Sequence, residues 1–263
     1  MKRLAKRIAK NFRIYSLLFV FFILFAVVLY RFYILQIEKN TNILSVQAQE
    51  ILVRGKIFFQ DKTGSRIIVA YNKDFPLIYA VPNEIKDPLG AASQLAQTLK
   101  IDEEYLKKIL SKKDDQYEIV LRKSGKEQIE AVKKLNIQGI YTGEELMRYA
   151  PFDDLASQLL GFVGPSSEDE KLKGRYGTEA FYNNELSRGD IDLVLTIDRN
   201  IQTRSEEILK KLIERFSAKG GSIIIEEPKT GKILAMTSLP NFNINEYNKF
   251  SLESFSNPVT QAV

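Results

Sequence analysis

The stretch GRYGTEAFYNNEL, residues 174–186, places two glycines three residues apart, an acid two residues later, and a Tyr-Asn pair that closes on Leu186. Gly174 and Gly177 sit in a polar loop, where glycine permits a positive φ or a close backbone approach. Glu179 admits three readings: a catalytic carboxylate, a solvated acid at a helix start, or half of a structural ion pair. Glycosidase-type chemistry would require a second carboxylate facing it, and the residues designate none. Tyr182 reads as a half-buried packing residue with its hydroxyl bonded.

Upstream, ILVRGKIFFQ and SRIIVAYN read as two β runs around the turn DKTG, and PLIYAVP as a further strand bounded by Pro76 and Pro82. DPLGAASQLAQTLK and DEEYLKKILSKK read as helices, the second with acids in its first turn and lysines in its last. YEIVLRK is a strand, and SGKEQIEAVKKL a helix opened by a capping box from Ser124 to Glu127. GIYTGEELMRYAP is strand-like, and DDLASQLLGFVG a short helix with Asp153 as its cap. This alternation predicts a mixed α+β domain over residues 51–190.

Downstream, IDLVLTID is a β run, followed by a helix with Ile201, Ile208, Leu209, Leu212, Ile213 and Phe216 on one face. GGSIIIEE and KILAMTSL are two apolar runs joined by Pro228-Lys229-Thr230-Gly231. Residues 191–263 therefore read as the opening of a second domain, too short alone to bury a core. An exposed hairpin and a helix with an unburied apolar face are expected there.

The chain of 263 residues contains neither cysteine nor histidine. Disulfides, cysteine nucleophiles and Ser-His-Asp chemistry are excluded within it, and zinc sites become improbable. The acidic pairs Asp114-Asp115 and Asp153-Asp154 lack a third ligand nearby and read as caps and loops. No metal or organic cofactor is implied. The net charge of +5 is misleading, because six basic residues and no acid fall within residues 1–13. With those set aside, the 38 Lys and Arg fall to 32 against 33 acids, and the basic patch of a nucleic-acid binder is missing.

Ile14 to Tyr30 is a run of 17 residues without a charge. Extended to Leu35 it gives about 33 Å of helix, enough to cross a bilayer core of ~30 Å. It is longer than a signal-peptide core and no small-x-small cleavage site follows, so a retained anchor is expected over residues 14–35. Tyr15, Tyr30 and Tyr33 stand at interfacial positions, and the basic tail puts residues 1–13 in the cytoplasm. Residues 36–50 read as a helical stalk, with the remainder extracytoplasmic.

Several of these stretches resemble the N-terminal half of class B penicillin-binding proteins, the membrane-anchored peptidoglycan transpeptidases. GRYGTEAFYNNEL is similar to the family's G-x-x-G-x-E-x-x-Y-N-x-x-L through Gly174, Gly177, Glu179, Tyr182, Asn183 and Leu186. MRYAP resembles its R-Y-P element through Arg148, Tyr149 and Pro151, with Ala150 intervening. RGKIFFQDKTG resembles the first pedestal motif through Arg54, Gly55, Ile57, Asp61 and Gly64, with altered spacing before Asp61 and Lys62 where Arg is usual. Only SRGDIDLV separates Leu186 from Leu195, where the family usually has a longer segment with further glycines. The resemblance implies a pedestal over 51–190 and an incomplete transpeptidase domain of α/β type over 191–263. It places Glu179 in the pedestal, which favours a structural pair with Arg54 or Arg148.

Acyl transfer in this family needs Ser-x-x-Lys, in which a lysine one helical turn on can take the serine's proton. No serine of this chain has lysine three residues later. The resemblance places the nucleophile after SNPVTQAV, beyond Val263, so no catalytic residue is assigned here. Lys229-Thr230-Gly231 spells a catalytic motif of the family but precedes the expected nucleophile, follows Pro228 and reads as a hairpin turn. Lys62-Thr63-Gly64 repeats the same letters at another turn. The resemblance implies a complete protein that takes peptidoglycan stem peptides and β-lactams, and a membrane partner of the SEDS lipid II polymerase type. The alternative is a non-catalytic bitopic scaffold that binds cell-wall assembly proteins.

Overall fold

In the computed structural model the turn at Asp61–Gly64 joins strands β1 (Ile57–Gln60) and β2 (Arg66–Ala80) as an antiparallel hairpin. The structure describes residues 21–31, 53–112, 117–165 and 172–261. Two units are distinguished, residues 1–48 and 49–263. In the first, residues 21–31 form helix α1, with every residue exposed. Residues 14–20 and 32–35 of the expected span lie outside the described residues, as do the 36–50 stalk and Asp114-Asp115. Among the described residues no helix is long and apolar enough to cross a membrane.

The second unit is built on β2. At about 3.3 Å per residue its 15 residues span roughly 50 Å, long enough to serve two separate cores. Its first half pairs with β1, and its last residues pair with β3 (Glu118–Leu121). Opposite β3, β4 (Ile140–Tyr149) pairs with it continuously from Tyr71↔Tyr149 to Ala80↔Ile140. Pro76 lies inside this strand and does not bound it as the sequence led us to expect. Its carbonyl accepts from Ser124 N on the side away from β4, so the missing N–H removes no rung of the β2–β4 ladder.

The distal core packs α2 (Pro88–Leu99), α3 (Glu103–Leu110) and α4 (Lys126–Leu135) against Ile78 and Ala80. Asp87 and Asp102 cap the first two helices by accepting from Gly90 N and Tyr105 N. The third begins one residue later than its sequence suggests. Gln128 accepts from Gly125 N at 2.8 Å, while the Ser124 hydroxyl donates to Leu121 O and closes the turn after β3. Ser124 therefore does not serve as the capping residue.

The proximal core gathers Ile57, Phe59, Val69, Leu160, Phe162 and Leu186 with Ile197, Phe242, Ile244 and Phe255. Residues 191–263 thus bury side chains against elements before them, contrary to the expectation that this segment lacks partners. Strand β5 (Val163–Pro165) pairs with β6 (Leu172–Gly174). Strand β7 (Leu193–Leu195) pairs in parallel with β1 and forms the outer edge of the main sheet. The short helix after β4 is α5 (Ser157–Leu160), and Asp153 does not cap it. Asp153 instead adopts a positive φ of 46° and accepts from Asn245 Nδ2, fixing the 150s loop to a later segment.

Short helices α6 (Gly177–Phe181) and α7 (Asn183–Leu186) follow β6, and the long helix α8 (Arg199–Phe216) follows β7. Strands β8 (Gly221–Glu227) and β9 (Lys232–Leu239) form a hairpin, and α9 (Pro258–Gln261) ends the described chain. Lys229-Thr230-Gly231 is the β8–β9 turn, with Thr230 N and Gly231 N donating to Glu227 O. Helix α8 does not bury its expected apolar face: Leu209 is buried, whereas Ile208, Leu212 and Phe216 are exposed. Gln202 and Ser205 occupy the buried side because β9 presents an unpaired backbone edge. Gln202 meets that edge through its side chain, accepting from Met236 N at 2.9 Å and donating to Met236 O at 3.2 Å.

Candidate functional site

Glu179 lies in the first turn of α6 and is 1% exposed. A carboxylate so far from water must be paired and hydrogen-bonded. It is held by two arginines that the sequence offered as alternatives. Arg54, just before β1, donates from Nε to Glu179 Oε2 at 3.0 Å, and its Nη2 lies 2.9 Å from the same oxygen. Arg148, near the end of β4, donates from Nε to Oε1 at 2.6 Å. One carboxylate therefore ties together segments 125 and 31 residues away in sequence.

Most of the remaining guanidinium donors reach backbone and amide oxygens, while Arg148 Nη2 and Asn72 Oδ1 are buried without a partner among the described residues. Arg54 Nη1 donates to Asn183 Oδ1 at 2.9 Å, and that oxygen also accepts from Gly174 N. Arg54 Nη2 donates to Glu179 O, and Arg148 Nη1 donates to Gly55 O. Asn72 Nδ2 donates to Arg54 O, and Gly55 N donates to Leu186 O. Two arginines against one glutamate leave the cluster with a net charge of +1. Burial pushes Arg148 below its ordinary pKa, and the carboxylate of Glu179 opposes that shift.

Backbone clearance explains the glycines of the opening stretch. A Cβ built on Gly174 would stand 1.8 Å from Glu179 O, so only glycine lets β6 lie against α6. Gly177 has φ +53°, and its Cβ would meet Leu159 O at 2.4 Å. Leu186 is fully buried in the proximal core. Tyr182 departs from expectation: its ring packs edge-on against the exposed Phe181, and its hydroxyl has no partner among the described residues.

The other motif residues stand apart from this cluster. Asp61 and Gly64 form the β1–β2 turn, where Asp61 Oδ1 accepts from Thr63 N and Ser65 N. The Thr63 hydroxyl and these amides hold the Asp61 carboxyl below its usual range. Tyr149 packs edge-on against Tyr71 and Phe75 beneath the ammonium of Lys73, and Pro151 lies in the loop that follows. Among the described residues no group of three or more acidic side chains is placed to hold a metal ion. Sequence reasoning missed Asn72, which opens the polar run Asn72-Lys73-Asp74 and is set opposite Arg148 only by the β2–β4 register.

Every member of the cluster falls within residues 53–191, the stretch that matches the sequence profile of the penicillin-binding protein dimerisation domain. The chain belongs to the penicillin-binding protein dimerisation-domain family. Its relatives make it a chain of the class B penicillin-binding protein type. It is 29% identical to stage V sporulation protein D of Bacillus subtilis, over 74% of this chain and 33% of that protein. It is 25% identical to the probable peptidoglycan D,D-transpeptidase PenA of Neisseria meningitidis, over 97% of this chain and 49% of that one. It is also 25% identical to the peptidoglycan D,D-transpeptidase FtsI of Escherichia coli, over 83% of this chain and 41% of the relative. The chain thus spans a third to a half of the curated relatives it matches. In this dimerisation domain the Arg54–Glu179–Arg148 cluster offers no nucleophile or open acid–base pair. Its chemistry is that of a joint, with charge, hydrogen bonds and backbone clearance fixing three distant segments.

Proposed function

We propose that this chain is the pedestal-bearing, membrane-anchored part of a peptidoglycan transpeptidase, and that its own residues position catalytic machinery without supplying the nucleophile. The cluster around Glu179 is the single observation that carries the reading. It uses the residues of the family's motifs, lies inside the matched domain, and joins β1, β4 and α6 beside the strand β7 that leads into residues 191–263. On this reading Arg54, Gly55, Arg148, Gly174, Glu179, Asn183 and Leu186 hold the pedestal to the start of the transpeptidase segment. Asp61, Gly64, Tyr149, Pro151, Gly177 and Tyr182 shape the surrounding turns and surfaces.

The whole protein would form an acyl-enzyme through a serine in the part of the relatives' length that this chain does not cover. Preorganised backbone amides would stabilise the oxyanion. Residues 14–35 would be a transmembrane helix, residues 1–13 cytoplasmic and 36–50 a stalk. The pedestal, 51–190, would face the cell wall and dock a SEDS-type lipid II polymerase, with 191–263 beginning the transpeptidase domain. Fluorescent penicillin gives the test. Covalent labelling of the product of the whole gene, together with no labelling of the 263-residue chain, is expected. Specific labelling of the 263-residue chain would place a nucleophile within it. Failure of the whole-gene product to label would favour the non-catalytic scaffold. The absence of native cysteine makes topology testable too: S65C should react with a membrane-impermeant maleimide in intact spheroplasts, and K6C should not.

A further inference from the structure

A cavity of about 690 Å³ opens between α8, the 152–155 loop and the 239–241 loop, lined by none of the residues of the Glu179 cluster. Its volume falls in the range of ordinary ligand pockets, ~300–1,000 Å³. A neighbouring hollow of about 390 Å³ shares Phe152, Thr203 and Glu207 with it, so the depression continues along α8. The walls divide by chemistry. Phe152, Leu155, Ile213, Leu239 and Pro240 supply apolar surface. Asp153, Asp154, Glu206, Glu207 and Glu214 supply five carboxylates against Lys210 and Lys219, with Glu207 already paired to Arg204 of the neighbouring hollow at 2.8 Å.

Within this lining Glu206 is the fixed group. Its Oε1 accepts from Ala156 N at 2.9 Å and from Gln202 Nε2 at 2.8 Å. Both bonds fall on one oxygen, leaving Oε2 without a partner among the described residues. Gln202 is itself locked to β9, so the carboxylate is held by groups that are not free to move. Lys210, one turn further along α8, lines the same cavity but forms no ion pair with Glu206 among the described residues. Nearby, Asp154 accepts from Asn241 Nδ2 at 3.1 Å. Burial raises the Glu206 pKa, and the charge of Asp154 adds to the rise. A cation seated here would relieve both penalties.

We propose that this cavity binds an alkylammonium side chain carried on a short apolar peptide segment, the ammonium resting against Glu206 Oε2 and Asp154 and the apolar flanks against Phe152, Leu155 and Pro240. The charge complementarity commits the occupant. An anionic segment would meet four carboxylates that have no ion-pair partner among the described residues, and a purely apolar one would leave the free Glu206 oxygen desolvated and unpaired. The proposal stands on the cavity and does not depend on the reading given above.

The test uses the full chain in detergent micelles and three probes: acetyl-Leu-Lys-Leu-amide, its norleucine analogue and its glutamate analogue. Calorimetry or NMR titration should show saturable binding of the lysine peptide, at least tenfold tighter than the norleucine peptide, and none of the glutamate peptide. Glu206→Gln keeps the Oε1 acceptor for Ala156 and Gln202 but replaces Oε2 with a donor, so it should abolish the lysine preference. If that variant fails to fold by circular dichroism, Asp154→Asn takes its place and should reduce the same ratio at least threefold. No saturable binding, equal affinity for the lysine and norleucine peptides, or a lysine preference unchanged in the folded variant would each overturn the assignment.

Discussion

Replacing Glu179 with alanine strips the shared counter-charge from two buried arginines. Three charge-assisted contacts disappear, two from Arg54 to Oε2 and one from Arg148 to Oε1. The net charge enclosed there rises from +1 to +2. Arg54 is 2% exposed and the Arg148 side chain 8%, so water reaches neither without disruption of β1 or β4. Breaking a buried pair by removing one partner costs about 3–5 kcal/mol. For a unit of this size, each kcal/mol lowers Tm by roughly 2–4 °C, so a fall of roughly 6–20 °C is expected. Glu179→Gln retains one acceptor oxygen and should lose about half as much. Thermal and urea denaturation of the full chain measure both variants. Hydrogen exchange adds a local readout, because the amides of Gly55 and Gly174 should be among the first to lose protection. A loss below about 1 kcal/mol in the alanine variant, with protection at Gly55 and Gly174 intact, would refute the view of Glu179 as the joint of the pedestal.

Other expectations rest on single contacts. Gln202→Leu leaves Met236 N and O buried and unpaired at ~1–3 kcal/mol each; faster exchange at the Met236 amide and a lower urea midpoint are expected. Gly174→Ala forces a Cβ into Glu179 O and should cost at least ~3 kcal/mol, the upper end of ordinary overpacking; a Tm within 3 °C of the parent chain would count against the close approach of β6 and α6. The hydrogen bond from the Tyr141 hydroxyl to Glu84 pushes the Tyr141 pKa up to about 12, from an ordinary 10.0. The folded state favours the neutral phenol, so this contribution is whole below pH 10 and fades as pH rises towards 12. Absorbance titration should show one tyrosine ionising near 12, lost in Tyr141→Phe and moved towards 10 in Glu84→Gln.

The parts of the fold legible in the sequence were those written as periods and punctuation. The DKTG turn, the helices in DPLGAASQLAQTLK and DEEYLKKILSKK, and the strand Ile140–Tyr149 carry local signals that tertiary packing does not contradict. Misreadings arose where a residue's partner is remote. Pro76 looked like a strand boundary because its tolerance depends on which side β4 approaches. Ser124 looked like a cap because the demand of Leu121 O for a donor is invisible in the local pattern. The apolar stripe of α8 misled for a related reason: the edge of β9 needed a hydrogen-bonding partner more than an apolar one, and Gln202 supplied it. At the site, Glu179 could be narrowed to two arginines by charge and motif. That both arginines serve at once, with Asn183 and Asn72 completing their shell, depends on a register that only the folded chain displays.

The limits of the matched domain, residues 53–191, are not those of a folding unit. Ending the chain at residue 191 removes β7 from the edge of β1. It also takes Ile197, Phe242, Ile244 and Phe255 out of the proximal core. Phe162 alone would lose ring contacts with Phe242, Tyr247 and Phe255, at centroid distances of 6.0, 4.1 and 4.8 Å. Fully burying such a side chain contributes about 1.5–3 kcal/mol. Four of them amount to roughly 6–12 kcal/mol, comparable with the whole ~5–15 kcal/mol stability of a domain. A polypeptide of residues 49–191 should therefore bind the dye ANS and unfold without a sharp transition, whereas residues 49–261 should unfold cooperatively. The distal core around Leu95, Leu106 and Val120 receives nothing from residues after 191, so its helices should keep their far-ultraviolet signal in both. Cooperative unfolding of the shorter polypeptide at the same midpoint would show that the proximal core stands without its later residues, and would sink the view of residues 191–261 as part of the pedestal's own packing.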